Sequence, residues 1–201
     1  QPGSRILALT SDGEGPGLIA SSLVDLGFGD SRLWVLEGLG GPDERIVRNE
    51  AAAIADTAFA SLNVVAIEVV AARDARILPF GFGLDDDLFE HDGQITKREI
   101  RTMTLAALAP RRGELLWDIG AGSGSISIEW MLAHPSMRAI AIEENAERAQ
   151  RMGRNADALG TPGLRVVTGA APEALEGMPQ PDAVFVGGGG SGDGVMEAAI
   201  A

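Results

Sequence analysis

The chain contains no cysteine, which excludes a disulfide framework and a thiolate metal site. It has two histidines, His91 and His134, on loop-like segments with no second ligand at metal spacing, so no metal site is expected. No apolar run approaches the length of a membrane span, and no membrane partner is expected. Basic residues are scarce beside acidic ones: 16 Lys and Arg face 29 Asp and Glu, a net charge of −13. That balance argues against non-specific nucleic-acid binding, which needs many cations to displace counterions. No Ser/His/Asp or Cys/His triad is suggested, and there is no internal repeat or low-complexity tract. The N-terminus lacks a charged-then-apolar leader, although Gln1 is not a natural start and a leader can have been cut away. These absences fit a cytoplasmic location.

What is present supports a packed core. Hydrophobic residues make up 45% of 201 positions, enough for one large domain or one domain with a fragment of another. Charge is uneven. Residues 96–112 hold Lys97, Arg98, Arg101, Arg111 and Arg112 against Glu99, a local net of +4 able to meet an anionic substrate. A solvated helix face explains any one of these charges equally well.

Residues 5–10 read as a short buried strand, followed by turn chemistry at 11–17 and a helix with Leu18, Ile19, Leu23 and Leu26 on its apolar face, ended by Gly27. Leu33 to Leu36 is a second strand, 51–60 reads as a helix, and 63–70 is a β-branched strand. Residues 71–95 read as a linker leading into a loop. Thr96-Lys97-Arg98-Glu99 reads as a capping box, with Ile100, Met103, Ala107 and Leu108 following at helical spacing. Then come strand 114–119, helix 124–133, strand 138–143, helix 145–159, strand 164–168, helix 172–176 and strand 182–186. Strands alternating with helices imply a mostly parallel, doubly wound α/β sheet, with the ligand at the carboxyl ends of the first strands.

Four features converge there. Gly120, Gly122 and Gly124 lie between a strand and a helix, where backbone can approach a ligand closely. Asp118 precedes them at the strand end, placed to hold a ligand ammonium directly or through water. Glu143 ends the next strand, 19 residues past Gly124, placed to accept both hydroxyls of a ribose. Glu144 beside it is a rival that alternation does not exclude; spacing favours Glu143. The third strand ends at Gly169-Ala170-Ala171, where amides and small side chains can flank an adenine. Trp117 and Trp130 read as core.

The stretch Leu115 to Gly124, with Asp118 and Glu143, resembles the class I S-adenosylmethionine methyltransferases, Rossmann-like in fold. The competing nicotinamide fingerprint, G-x-G-x-x-G/A, fails at Ser125. A narrower likeness lies in Leu84 to Phe89, Gln94 to Arg101, the glycine loop, Gly169 to Leu175 and Asp182 to Gly190. Together these resemble the precorrin-6B (precorrin-6Y) C5,15-methyltransferase family, in its C15-methylating, decarboxylating domain. Leu9 to Gly13, Gly27 to Gly29 and Val35 to Ile46 look like the tail of the tetrapyrrole methylase domain that precedes it in fused forms. The expected division is therefore 1–75, the tetrapyrrole-methylase-like part, and 76–201, the methyltransferase domain.

The resemblance implies S-adenosyl-L-methionine as cofactor, contacted by Thr96, Gly120, Ala121, Gly122, Ser123, Gly124, Glu143 and Ala170 or Ala171, alongside Asp118. Ala170 stands where the family often has an acid. It also implies a precorrin substrate in cobalamin biosynthesis, loss of an acetate side chain as carbon dioxide, and a homo-oligomer, tetrameric in relatives. Near the mouth, Lys97 or Arg101 is a candidate to grip peripheral carboxylates and His91 to donate a proton; Gln94 lies beside them. The front piece lacks the beginning of its domain, so C5 methylation is not expected from it. The back piece stops after four parallel strands, so truncation is expected, with an edge strand and an apolar helix face left uncovered. Two rival readings stand: a class I methyltransferase acting on RNA or protein, and a non-catalytic scaffold of truncated fold.

Overall fold

Leu33 and Val35, and likewise Val65 and Ile67, are spaced two apart and all buried, the pattern of strands with one covered face. They belong to the first of two units into which the computed structural model divides, Gln1–Leu78 and Pro79–Ala201. The structure describes residues 1–54, 57–73, 75–188, 192 and 194–200. The first unit runs β1 (Arg5–Leu9), α1 (Gly15–Asp25), β2 (Arg32–Glu37), β3 (Arg45–Glu50), α2 (Ala51–Ile54) and β4 (Asn63–Glu68). Its sheet has the order β1-β4-β2-β3, every pair antiparallel. Ala20 of α1 with Ala51 and Ile54 of α2 close over the buried face.

Three expectations change here. The strand expected at 5–10 forms as β1 but is not buried, with Leu7 and Leu9 exposed on it. β3 has no apolar alternation to announce it; pairing with β2, from Arg32–Glu50 to Glu37–Arg45, makes it a strand. The helix expected over 51–60 is present as α2 alone: residues 55 and 56 lie outside the described residues, and 57–60 are not helical.

The second unit contains α3 (Arg98–Leu108), β5 (Leu115–Ile119), α4 (Ser125–Leu132), β6 (Arg138–Glu143), α5 (Ala146–Ala158), β7 (Arg165–Thr168), β8 (Ala183–Val186) and α6 (Val195–Ile200). β5 is buried at every position and β6 at all but its first. Such strands need cover on both faces. α4 and α5 pack on β5, β6 and β7 from one side. On the other, Val195, Ala198 and Ala199 of α6 join Leu175 against Trp117, Ile119, Ile140 and Ile142. Each large apolar side chain so buried contributes roughly 1.5–3 kcal/mol. The strand order is β7-β6-β5-β8, all parallel. The chain therefore passes from the β7 edge to the far side of β5, and the carboxyl ends of β5, β6 and β8 frame a crevice.

The glycine-rich end of the family-like segment, Gly189 and Gly190, lies outside the described residues. Three local expectations are corrected. α3 starts at Arg98 with Lys97 at its N-cap and no side-chain cap, so the Thr96–Glu99 capping box does not form. Its Ile100 and Met103 are 57% and 69% exposed while Arg101 is buried, because a carboxylate on α4 draws the guanidinium inward. Residues 173–175 form one turn of 3-10 helix instead of an α-helix, too short a stretch to propagate.

Candidate functional site

A cavity of about 900 Å³ lies at the carboxyl ends of β5, β6 and β8, within the size range of small-molecule sites. Its floor is the glycine loop. Ile119, the last residue of β5, leads into Gly120, whose amide donates to the Ile142 carbonyl at 2.9 Å; Ala121 donates to the same oxygen at 3.0 Å. The loop thus rests on the end of β6. Gly120 has φ +71°, and a Cβ there would stand 2.5 Å from the Gly188 carbonyl oxygen, so conformation and space both demand glycine. Gly120, Ala121 and Gly122 line the cavity. Ser123 is buried behind it, and Gly124, with φ +77° and Met152 packed beneath, starts α4.

Glu143 lines the cavity at the end of β6. Its Oε2 accepts the Gly122 amide at 2.8 Å and its Oε1 the Asn145 amide at 3.0 Å. An ionised carboxylate offers about four lone-pair sites, so half of that capacity remains for a ligand. Ala170 and Ala171 follow β7 on the cavity wall; Thr96, just before α3, also lines it, and its carbonyl accepts Arg101 Nη1 at 2.5 Å. Ile142, Phe185 and Val195 supply apolar surface.

Asp118 moves off the wall. It is 1% exposed, and its Oδ2 accepts both the amide and the hydroxyl of Ser127, at 3.2 and 2.7 Å. Oδ1 has no hydrogen-bond partner among the described residues. Burial pushes its carboxyl up to about 6, against the lowering by Ser127 and with a smaller upward push from Glu143. Of the two arrangements expected from sequence, a grip on a ligand ammonium directly or through water, the direct one is not arranged; Asp118 lies off the cavity lining and anchors the first turn of α4 beneath the loop.

None of the three residues singled out for chemistry lines the cavity. His91 is half-buried, its Nδ1 accepting the Gly93 amide at 3.0 Å. The Lys97 side chain is 61% exposed with its Nζ 3.7 Å from Asp86. Arg101 is a correction. Its side chain is fully buried, with Nε to Glu129 Oε1 at 2.6 Å, Nη1 to Asp86 Oδ1 at 2.9 Å and Nη2 on the Leu84 carbonyl, and it stacks 4.9 Å from the Phe89 ring. Glu129 also accepts the amides of Gly83 and Leu84, at 2.5 and 3.0 Å. Arg101 therefore ties the segment before α3 to α4 and is closed to substrate. The basic patch over 96–112 dissolves too: Arg98 pairs with Asp85, and Arg111 and Arg112 precede β5 at the opposite end of the sheet.

Sequence reasoning missed Arg148, which lines the cavity from α5 and donates from Nε to Asp92 Oδ2 at 2.7 Å. The Arg148 guanidinium, with the Gln94 amide, holds the Asp92 carboxyl down at about 2. Gln94, named from sequence beside the mouth, does line the cavity, while its neighbours Gly93 and Ile95 were missed. No local signal marks either, since both depend on α5 and residues 90–96 meeting in space. Among the described residues no group of His, Cys, Asp or Glu is placed to hold a metal ion. No helix among them is long and apolar enough to cross a membrane.

A family model described as "Precorrin methyltransferase domain" matches residues 87–201. A Sinorhizobium protein named precorrin-6Y C(5,15)-methyltransferase [decarboxylating] is 65% identical over 199 residues, 99% of this chain and 48% of that protein. A Mycobacterium tuberculosis protein of the same name is 41% identical over 201 residues, covering 98% and 50%. The chain spans about half the length of these curated relatives. Among solved structures, the C-terminal domain of precorrin-6Y C5,15-methyltransferase from Rhodobacter capsulatus is similar at 53% identity and a TM-score of 0.56, covering 60% of this chain and 64% of that one. With the all-parallel sheet, this likeness gives the second unit the class I methyltransferase fold.

Proposed function

The chain belongs to the precorrin methyltransferase domain family, and on that footing we propose that its second unit methylates a precorrin with S-adenosylmethionine. By the resemblance of its segments, the acceptor is C15, an acetate side chain leaves as carbon dioxide, and the pathway is cobalamin biosynthesis. We assign residues 1–75 to the tail of a tetrapyrrole methylase-like domain and 76–201 to the methyltransferase domain. The working assembly is a homo-oligomer in the cytoplasm, a tetramer by family resemblance.

One observation carries the reading: Gly120–Gly122, Glu143 and the Ala170–Ala171 turn share one cavity. The residues fit the cofactor. Glu143 has acceptor capacity for two ribose hydroxyls, the alanines and Ile142 suit a flat apolar base, and Thr96 is released from helix capping. When bound, S-adenosylmethionine supplies an electrophilic methyl group on a positively charged sulfur. The protein's task is then alignment and exclusion of water. Residues 93–96 wall the cavity beside the glycine loop. Lys97, next to Thr96 and weakly paired with Asp86, takes a peripheral carboxylate of the substrate. His91 accepts at Nδ1, which leaves Nε2 to carry a proton for the decarboxylation step.

The test is incubation with labelled S-adenosylmethionine and precorrin-6B, followed by mass analysis. A product heavier by one methyl and lighter by carbon dioxide is expected. Label transfer to RNA or protein with none to precorrin overturns the substrate, and failure to bind the cofactor points to a scaffold.

A further inference from the structure

Asn155, on α5, is 2% exposed and lines no part of the cavity. Its side chain serves two other segments. Oδ1 accepts the Glu90 amide at 2.8 Å, and Nδ2 donates to the Glu90 carbonyl at 3.0 Å. The second Nδ2 hydrogen goes to the Ser123 carbonyl, also at 3.0 Å. One amide therefore meets both backbone groups of Glu90, as a neighbouring strand would, and closes on the glycine loop as well. Reversing the amide would set N–H against N–H at Glu90, so the network fixes its orientation.

Both partners lead to the cavity. Glu90 opens a segment whose Gly93, Gln94, Ile95 and Thr96 form one wall; Ser123 follows the Gly120–Gly122 floor. Wall and floor approach closely, since a Cβ on Gly122 would stand 3.6 Å from the Gln94 carbonyl oxygen. The same helix offers Arg148, Arg151 and Arg154 to the segment: Arg148 and Arg151 lie 2.7 and 3.6 Å from Asp92, and Arg154 lies 2.6 Å from Glu90. Those pairs reach solvent and are individually weak. The buried amide is the fixed point: its bond to the Ser123 carbonyl is buried, so that loss of the amide leaves a buried acceptor unpaired, and its two bonds to Glu90 are part-buried.

We propose that Asn155 is a positioning residue for the cofactor: it holds residues 90–96 at a set distance from the glycine loop, so that the two walls are spaced for the ligand before it arrives. It touches no ligand, and its effect is preorganisation. The proposal rests on the S-adenosylmethionine reading of the cavity.

The test uses the full chain with Asn155→Asp and Asn155→Ala. The Asp variant keeps the shape but, when ionised, turns acceptors towards two carbonyls; at low pH its protonated carboxyl regains one donor. Two measurements are made: amide hydrogen exchange of the ligand-free chain, and calorimetric titration with S-adenosylhomocysteine across pH. Expected are faster exchange at the Gly93–Thr96 and Ala121–Ser123 amides with β6 unchanged, and affinity lower by about 10–100-fold, as loss of two or three hydrogen bonds implies. Affinity of the Asp variant is expected to recover in part as pH falls, and that of the Ala variant not to. Unchanged exchange at residues 93–96, equal acceleration throughout β5 and β6, or unaltered affinity overturns the proposal. If the wild-type chain itself takes up no S-adenosylhomocysteine, the methyltransferase reading falls, while the exchange data still decide whether Asn155 sets the position of the segment.

Discussion

The Glu143 carboxylate accepts the Gly122 amide hydrogen at 2.8 Å, which joins the acid at the end of β6 to the glycine loop after β5. The acid both shapes the loop and faces the cavity. Glu143→Ala removes an anchor of the loop and the proposed ribose acceptor together, and an affinity for S-adenosylhomocysteine lower by about 100-fold is expected. Glu143→Gln keeps one carbonyl acceptor and is expected to lose about tenfold. Calorimetric titration measures both.

Gly120 and Gly153 make opposite predictions. Gly120→Ala meets both the left-handed φ of +71° and the Gly188 carbonyl; destabilisation of roughly 1–3 kcal/mol is expected, with loss of cofactor binding. Gly153 lies within α5, and a Cβ there meets nothing within 4 Å. Gly153→Ala is expected to stabilise by about 0.5–1 kcal/mol. Urea denaturation of the two variants checks both signs.

Arg101 is a structural cation. Arg101→Met leaves the Glu129 carboxylate buried without its guanidinium, a change expected to cost about 3–5 kcal/mol. Arg101→Lys is expected to recover little, because an ammonium cannot reach Glu129, Asp86 and the carbonyls of Leu84 and Thr96 with one planar fork. Were Arg101 a substrate ligand instead, its removal would raise KM and leave the melting temperature unmoved.

Asp118 predicts a pH dependence. Its carboxyl is raised from 3.8 to about 6 in the folded chain, so the fold favours the protonated form. That contribution is fully present below about 3.8 and is lost as pH rises through about 6. Asp118→Asn does not ionise. The stability of the variant relative to wild type is therefore expected to increase between pH 5 and pH 7.5, by an amount on the order of 1–1.5 kcal/mol, the rest of the change falling below pH 5. Unfolding free energies measured across that range decide it; a flat difference refutes the assignment.

The second unit was largely legible because its signals are local. Leu115 to Ile119 is apolar at every position but Asp118, Asn145 caps α5 by accepting the Glu147 and Arg148 amides, and Gly160 follows that helix. β3 was illegible because its strand character comes from its partner β2. α3 misled for a related reason. Ile100 and Met103 have helical spacing, yet the side that turns inward is chosen by Glu129, 28 residues beyond Arg101. In the site, chain order alone marked Gly120–Gly122, Glu143, Ala170 and Ala171, all on the cavity wall. Asp118 was read as a ligand because it stands at a strand end, and sequence does not say which side of the sheet a strand residue faces.

By itself the sequence determined the alternation of strands and helices, the glycine-rich turn and the acid one strand later, since each depends on residue type and spacing over short range. Tertiary structure alone decided that Glu143 and Gly122 bond to each other, that Asp118 and Arg101 serve the framework, and that Asn155 reaches Glu90 and Ser123. Those outcomes turn on which buried polar groups find partners across 9 to 65 residues of chain. Burial without a partner is costly, and partnership at that distance exists only once the chain has folded.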